Sequence, residues 1–219
     1  MLTEISFPSL GVCDGFINIG VTTSSKPGFF TFDKITNLSF PVLSSASGIN
    51  LGYLNLLQDV SFPQLRYLGV IGGTSSFSFT SLNLINMSSL RELNFPELVV
   101  FGGYQLFSFS NTLSSLSAIK MPKLRIFKQG VFQSTPSINI SPTSLSALDL
   151  GTNTLQFCDI INFTCNQALT RQSMDDVLLA LSRLDGTNNT NYYGGNTVFG
   201  SAYVLTLAGN NRPPSLPVS

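Results

Sequence analysis

Three cysteines, Cys13, Cys158 and Cys165, are the only thiols this chain could use as nucleophiles or soft metal ligands. Cys158 and Cys165 lie close enough to bridge a short loop. Two small core thiols are the other reading, because cysteine commonly serves as a small hydrophobe. No Cys-x-x-Cys pair offers a zinc site. Asp175 and Asp176 are the only adjacent acids. On a helix, neighbours point about 100° apart, so they suit a helix dipole better than a catalytic carboxylate pair. The basic run Lys120, Lys123, Arg125, Lys128 could touch an anionic surface polymer, although a solvated face is the commoner meaning of such a run. Histidine, the usual general base and metal ligand, is missing altogether.

No Gly-x-Ser-x-Gly, phosphate loop, Gly-x-Gly-x-x-Gly or calcium-loop spacing occurs. The 219 residues carry 11 basic and 11 acidic side chains, and only 10% are charged, against roughly a quarter in an average domain. That balance supplies no electrostatic footprint for nucleic acid. We therefore expect a non-enzyme with no cofactor and no catalytic or metal site. Five Asn-x-Ser/Thr sequons, at Asn37, Asn86, Asn139, Asn162 and Asn188, are about what so asparagine-, serine- and threonine-rich a chain produces by accident. Met1-Leu2-Thr3-Glu4 shows no basic and apolar export signal, and no run of eighteen apolar residues suggests membrane insertion.

The elements that position these residues are repeats. Leu2-Thr-Glu-Ile5-Ser-Phe7-Pro8-Ser-Leu10 recurs as Ile35-Thr-Asn-Leu38-Ser-Phe40-Pro41-Val-Leu43 and as Leu57-Gln-Asp-Val60-Ser-Phe62-Pro63-Gln-Leu65. It returns as Leu90-Arg-Glu-Leu93-Asn-Phe95-Pro96-Glu-Leu98, as Leu116-Ser-Ala-Ile119-Lys-Met121-Pro122-Lys-Leu124, and in variant form at Leu145-Ser-Ala-Leu148-Asp-Leu150-Gly-Thr-Asn153-Thr-Leu155. Alternation within each copy predicts a short strand, with Leu93 and Phe95 inward and Glu92 and Asn94 outward. Proline cannot donate to a ladder, so it ends the strand, and the next leucine folds back into the core. Copies about 22 to 33 residues apart match the coil length of a repeat stack. One copy leaves its apolar face wet; stacked copies share a core and a parallel ladder. The expected fold is mainly β, a small right-handed parallel solenoid. Leu65-Arg-Tyr-Leu68-Gly-Val70 also has strand character and competes with the phrase before it.

The phrase resembles a leucine-rich repeat, and its Phe-Pro-x-Leu form is similar to receptor L domains and to leucine-rich-repeat surface proteins of bacteria, over about residues 1–160. The copy at Leu145 to Leu155 matches the general pattern, including Asn153, which in the family bonds the turn after the strand. The other copies place Phe-Pro where the family continues toward asparagine. Between copies, Ser75 to Phe79 and Leu106 to Ser110 alternate serine with phenylalanine, which predicts strands with Phe77, Phe79, Phe107 and Phe109 facing the core.

The chain divides into a solenoid over residues 1–165 and a capping segment over 166–219. In the latter, Thr170 predicts a helix N-cap, Asp175 and Asp176 fall near its positive end, and Met174, Val177, Leu178, Leu181 and Leu184 form an apolar stripe ended by Asp185-Gly186. Such a helix would close the open end of the stack. A polar loop over 187–196, a strand around Tyr203 to Leu207 and a proline-rich end follow. Residues 166–215 resemble the tails of bacteriophage structural and prophage surface proteins.

With catalysis unsupported, a surface remains. Gln58, Asp59, Arg91, Glu92, Asn94, Lys120 and Asp149 are expected to align across the ladder, joined by Lys123, Arg125 and the tyrosines Tyr53, Tyr67 and Tyr104. A weakly charged face of this kind suits a glycan or a protein neighbour better than nucleic acid. The resemblance of residues 166–215, taken with the missing export signal, implies a virion protein, a fibre, tail-tip or decoration subunit for host attachment or assembly, expected as a homo-oligomer for which a trimer is the guess. A bacterial cell-surface adhesin is the alternative.

Overall fold

A computed structural model describes residues 2–20, 34–69, 80–103, 105–109, 113–129, 137–140, 145–158, 162–165, 169–182 and 204–206. In chain order these residues form β1 (Glu4–Ser6), β2 (Val12–Ile19), β3 (Asn37–Ser39), β4 (Ser45–Gly52), β5 (Asp59–Ser61), β6 (Tyr67–Leu68), β7 (Thr80–Ile85), β8 (Glu92–Asn94) and β9 (Val100–Gly103). They continue with β10 (Gln105–Phe109), β11 (Ala118–Lys120), β12 (Ile126–Gln129), β13 (Ser137–Ile140), β14 (Ala147–Asp149), β15 (Phe157–Cys158), β16 (Asn162–Cys165), α1 (Arg171–Ser182) and β17 (Val204–Thr206). The fold is mainly β, and every strand pairing among the described residues is parallel.

The six repeated phrases supply the six strands of the first sheet, in the order β1-β3-β5-β8-β11-β14. Equivalent residues of the phrase face each other across it: Ile5 pairs with Leu38, Leu38 with Val60, Leu93 with Ile119, and Ile119 with Leu148. Each of the first five phrases then turns through Phe/Met-Pro-x-Leu. The leucine N–H donates to the carbonyl three residues back, as in Leu43 to Phe40 at 3.4 Å, Leu65 to Phe62 at 3.3 Å, Leu98 to Phe95 at 3.2 Å and Leu124 to Met121 at 3.1 Å. Proline at the second position of such a turn has its φ set in advance and loses no ladder bond.

This register stacks one ring on the next. Phe7 lies 4.9 Å from Phe40, Phe40 5.0 Å from Phe62, and Phe62 5.4 Å from Phe95, with interplanar angles of 5°, 9° and 15°. The ring spacing follows the roughly 4.8 Å between neighbouring strands, and each aromatic pair adds about 0.5–1.5 kcal/mol beyond burial. Leu43, Leu65, Leu98 and Leu124 fold back into the same core and are buried.

After the turn the chain enters a second sheet, ordered β10-β7-β4-β6-β9-β12-β15 with β2 beside β4. Leu65 to Leu68 and the phrase before it are therefore both strand-bearing: β5 belongs to one sheet and β6 to the other. β4 joins two runs of this sheet, pairing with β6 through Ser45 and Ala46 and with β7 through Ile49 to Gly52. Ile49, Leu51, Leu82 and Leu84 face the same apolar core as Leu68, Phe101 and Phe127. The chain regains the first sheet through a second ladder of turns, with Leu57 donating to Leu54, Leu90 to Met87 and Leu116 to Leu113. A third sheet, β13-β16-β17, includes a strand in the predicted Tyr203 to Leu207 region. The expected strand at 106–110 is present as β10, while Ser75 to Phe79 lies outside the described residues.

α1 packs on β14, the last strand of the first sheet. Thr170 caps it as expected, accepting from the Ser173 N–H at 3.2 Å. The acids, however, do not sit at its positive end. The cap makes Arg171 the first helical residue, so the first turn contains no acid, and Asp176 instead accepts from Gln172 Nε2 at 2.9 Å. Ser173, Val177 and Ala180 of the helix are buried, as is Leu169 just before it. Of the predicted stripe, Val177 is on that face; the side chains of Met174, Leu178 and Leu181, like residue 184, lie outside the description. Ser173 faces the sheet because a strand edge carries peptide groups that need partners. Its Oγ accepts from the Leu148 N–H at 2.6 Å and donates to the Leu148 carbonyl at 3.1 Å, while Thr170 N–H donates to the Ser146 carbonyl.

Candidate recognition surface

Outward positions of the first sheet fall into rows because a parallel register repeats the same residue position in every strand. One row runs Ser6, Ser39, Ser61, Asn94, Lys120, Asp149. The neighbouring row contains Asn37 and Asp59 facing each other, and Glu92 facing Ala118. Asp59, Asn94 and Lys120 are exposed, and Glu92 and Asp149 half-buried. Lys120 Nζ reaches Glu92 Oε2 at 2.9 Å with both side chains substantially exposed, a pair worth about 0–1 kcal/mol. Asp149 is engaged internally, its Oδ1 accepting from the Gly151 and Thr152 N–H groups at 2.9 and 3.4 Å. This closes the one turn that has glycine where the others have proline.

The remaining expected residues are elsewhere. Gln58 and Arg91 are exposed one position before β5 and β8 and stack through the backbone, Arg91 N–H on the Gln58 carbonyl at 3.5 Å. Lys123 sits in the turn after β11, where its Nζ pairs with Glu97 Oε1 at 2.6 Å. Tyr67 begins β6 and Arg125 immediately precedes β12, so both belong to the second sheet. The basic run is thus dispersed: Lys120 and Lys123 each meet a carboxylate, and Arg125 donates from Nε and Nη2 to Gln156 Oε1 at 3.1 and 2.7 Å. Tyr53 occupies a corner with φ 56°. Tyr104 lies outside the described residues.

Two features escaped the sequence reading. Arg66, exposed beside Tyr67, occupies the same backbone row as Arg125: Val99 N–H donates to the Arg66 carbonyl and Arg125 N–H to the Val99 carbonyl, both at 2.9 Å. The second is an amide ladder. Asn18, Asn50 and Asn83 are in register, Asn50 Nδ2 donates to Asn18 Oδ1 at 2.6 Å, and Asn83 Oδ1 is buried without a partner. Its signal was present in the triplets Ile17-Asn-Ile19, Ile49-Asn-Leu51, Leu82-Asn-Leu84 and Ile138-Asn-Ile140.

Cys158 is buried and Cys13 half-buried; the side chain of Cys165, the other half of the short-loop bridge, lies outside the described residues. Among the described residues no group of three or more His, Cys, Asp or Glu converges to hold a metal ion, and no helix is long and apolar enough to cross a membrane. Compared with known proteins, the chain matches no family model, no curated protein and no solved structure.

Proposed function

We propose that this chain is a non-enzymatic surface-recognition module, a leucine-rich-repeat-like solenoid capped by α1. The solenoid reading is supported by the chain's repeated passage from the first sheet through a Pro turn to the second sheet and back, with equivalent residues in register at each passage. The recognition reading rests on one observation: outward side chains recur in rows across the stacked strands while inward ones fill a continuous core. Rows of this kind form the extended faces on which repeat proteins bind partners. Its partners are other virion subunits, or a glycan or protein of a host surface, without nucleic acid, cofactor or membrane insertion. In this proposal the chain is a bacteriophage fibre, tail-tip or decoration subunit, assembled as a homo-oligomer, possessing the phage-like segment at residues 166–215. Immunolabelling of purified virions, imaged by negative-stain electron microscopy, tests it. Label on the particles is the expected result; label confined to bacterial envelopes would reject the virion placement and support a cell-surface adhesin.

A further inference from the structure

The two sheets differ in how their positive charges are compensated. On the first sheet and its turns Lys120 and Lys123 are each paired with a glutamate. Along the second sheet, β6, β9, β12, β15 and the residues just before them include Arg66, Arg125 and Lys128 and no acid. Arg66 has no side-chain partner among the described residues. Gln156 holds Arg125 by Nε and Nη2, which orients the guanidinium. Arg66 and Arg125 stand two strands apart, about 9.6 Å along the ladder, both exposed. Beside them the row in register is Tyr67, 46% exposed, then Val100, which is buried at 7%, and the half-buried Ile126 and Phe157. The exposed Tyr67 ring, with half-buried Ile126 and Phe157 further along the row, therefore stands beside two exposed guanidinium groups that have no carboxylate partner among the described residues.

A second copy docking face to face on these four strands would bring Arg66 and Arg125 against like charges, so an occupant that carries negative charge fits them better. Guanidinium forks match carboxylates, and an exposed tyrosine offers the flat apolar face of a sugar ring a surface to lie on. The arginine spacing is close to that of alternate residues in an extended pyranose chain. We infer that the outward face of β6, β9, β12 and β15 binds an acidic polysaccharide, with Arg66 and Arg125 on carboxylates of alternate sugars and Tyr67 under a ring. The inference rests on the surface-recognition reading and names the ligand class for one of its faces.

The full chain is tested by biolayer interferometry on immobilised polygalacturonate and polysialic acid, with carboxyl-reduced polygalacturonate and polyglutamate as controls. Binding to at least one acidic glycan is expected, at least tenfold weaker on the reduced polymer and falling as salt is raised. Arg66→Gln and Arg125→Gln should each weaken it about tenfold, and Lys120→Gln on the other sheet should leave it unchanged. Three outcomes each overturn the inference: no binding to either acidic glycan, affinity unaltered in the Arg66→Gln/Arg125→Gln double variant, or equal binding to polyglutamate. Attachment to intact host cells, measured alongside, separates the two readings. Cells still bound by the double variant would leave surface recognition standing while removing this face from it.

Discussion

Replacing Phe62 by alanine removes a ring held between Phe40 at 5.0 Å and Phe95 at 5.4 Å. Phe62 is 1% exposed, and its neighbours are fixed by parallel register on both sides, so the space cannot easily collapse. A loss of about 3–5 kcal/mol is expected, a large part of the roughly 5–15 kcal/mol that holds a domain folded. Phe62→Leu retains much of the volume and should cost about 1 kcal/mol. Phe7 provides the internal comparison. It is partly buried, at the end of the stack, with the Phe40 ring as its described neighbour. Losing half the burial and one stacking contact should cost about 1–2 kcal/mol. Urea unfolding followed by far-UV circular dichroism suits a chain without tryptophan. Equal losses at Phe7 and Phe62, or a loss at Phe62 under about 1 kcal/mol, would refute the idea that each ring shelters the next.

Three further outcomes follow from individual contacts. Ser173→Ala leaves the Leu148 peptide without the hydroxyl that serves both its N–H and its carbonyl, costing about 1–3 kcal/mol. Hydrogen exchange at the Leu148 amide should accelerate, and unchanged protection would contradict the capping role of α1. Gly69→Ala adds a Cβ that collides with the Gly102 carbonyl at a residue with φ 97°. A strain of about 1–3 kcal/mol or more should appear as a lowered melting temperature, and an unchanged one would mean that the corner is built differently. Glu92→Gln removes an exposed ion pair with Lys120 and should change stability at neutral pH by less than about 1 kcal/mol; a loss of several would show that the pair is more shielded than its exposure indicates.

The first sheet was legible because three constraints coincide in each phrase: apolar alternation, a proline that cannot donate, and a leucine three residues after the phenylalanine. The second sheet was not. β6 is only Tyr67 and Leu68, too short for alternation to register, and its existence depends on strands contributed by other copies. Helix α1 was legible from Thr170 and the apolar residues after it, but the part played by Ser173 was not. A serine on the core side is unfavourable by composition alone, and Ser173 acquires its role only from the Leu148 peptide edge that meets it. The candidate surface divided for a related reason. Residues adjacent in sequence, such as Lys120 and Arg125, are sent to different sheets by the turn at Pro122, whereas Arg66 and Arg125, far apart in sequence, share one row. The asparagine triplets were visible as words, but their alignment depends on irregular intervals between strands that no single spacing reveals.

Cysteine trapping measures the stacking of the phrases directly. Ser6 faces Ser39 and Ser39 faces Ser61, so a Ser39→Cys/Ser61→Cys variant places its thiols on neighbouring strands. Ser6→Cys/Ser61→Cys places them two strands apart, about 9.6 Å, beyond the roughly 7 Å limit for bridging without backbone movement. Under mild oxidation, with peptide mapping to assign the bonds, the neighbouring pair should cross-link and the skipped pair should not. Bridging of the skipped pair with none in the neighbouring one would mean that successive Phe-Pro phrases do not lie side by side.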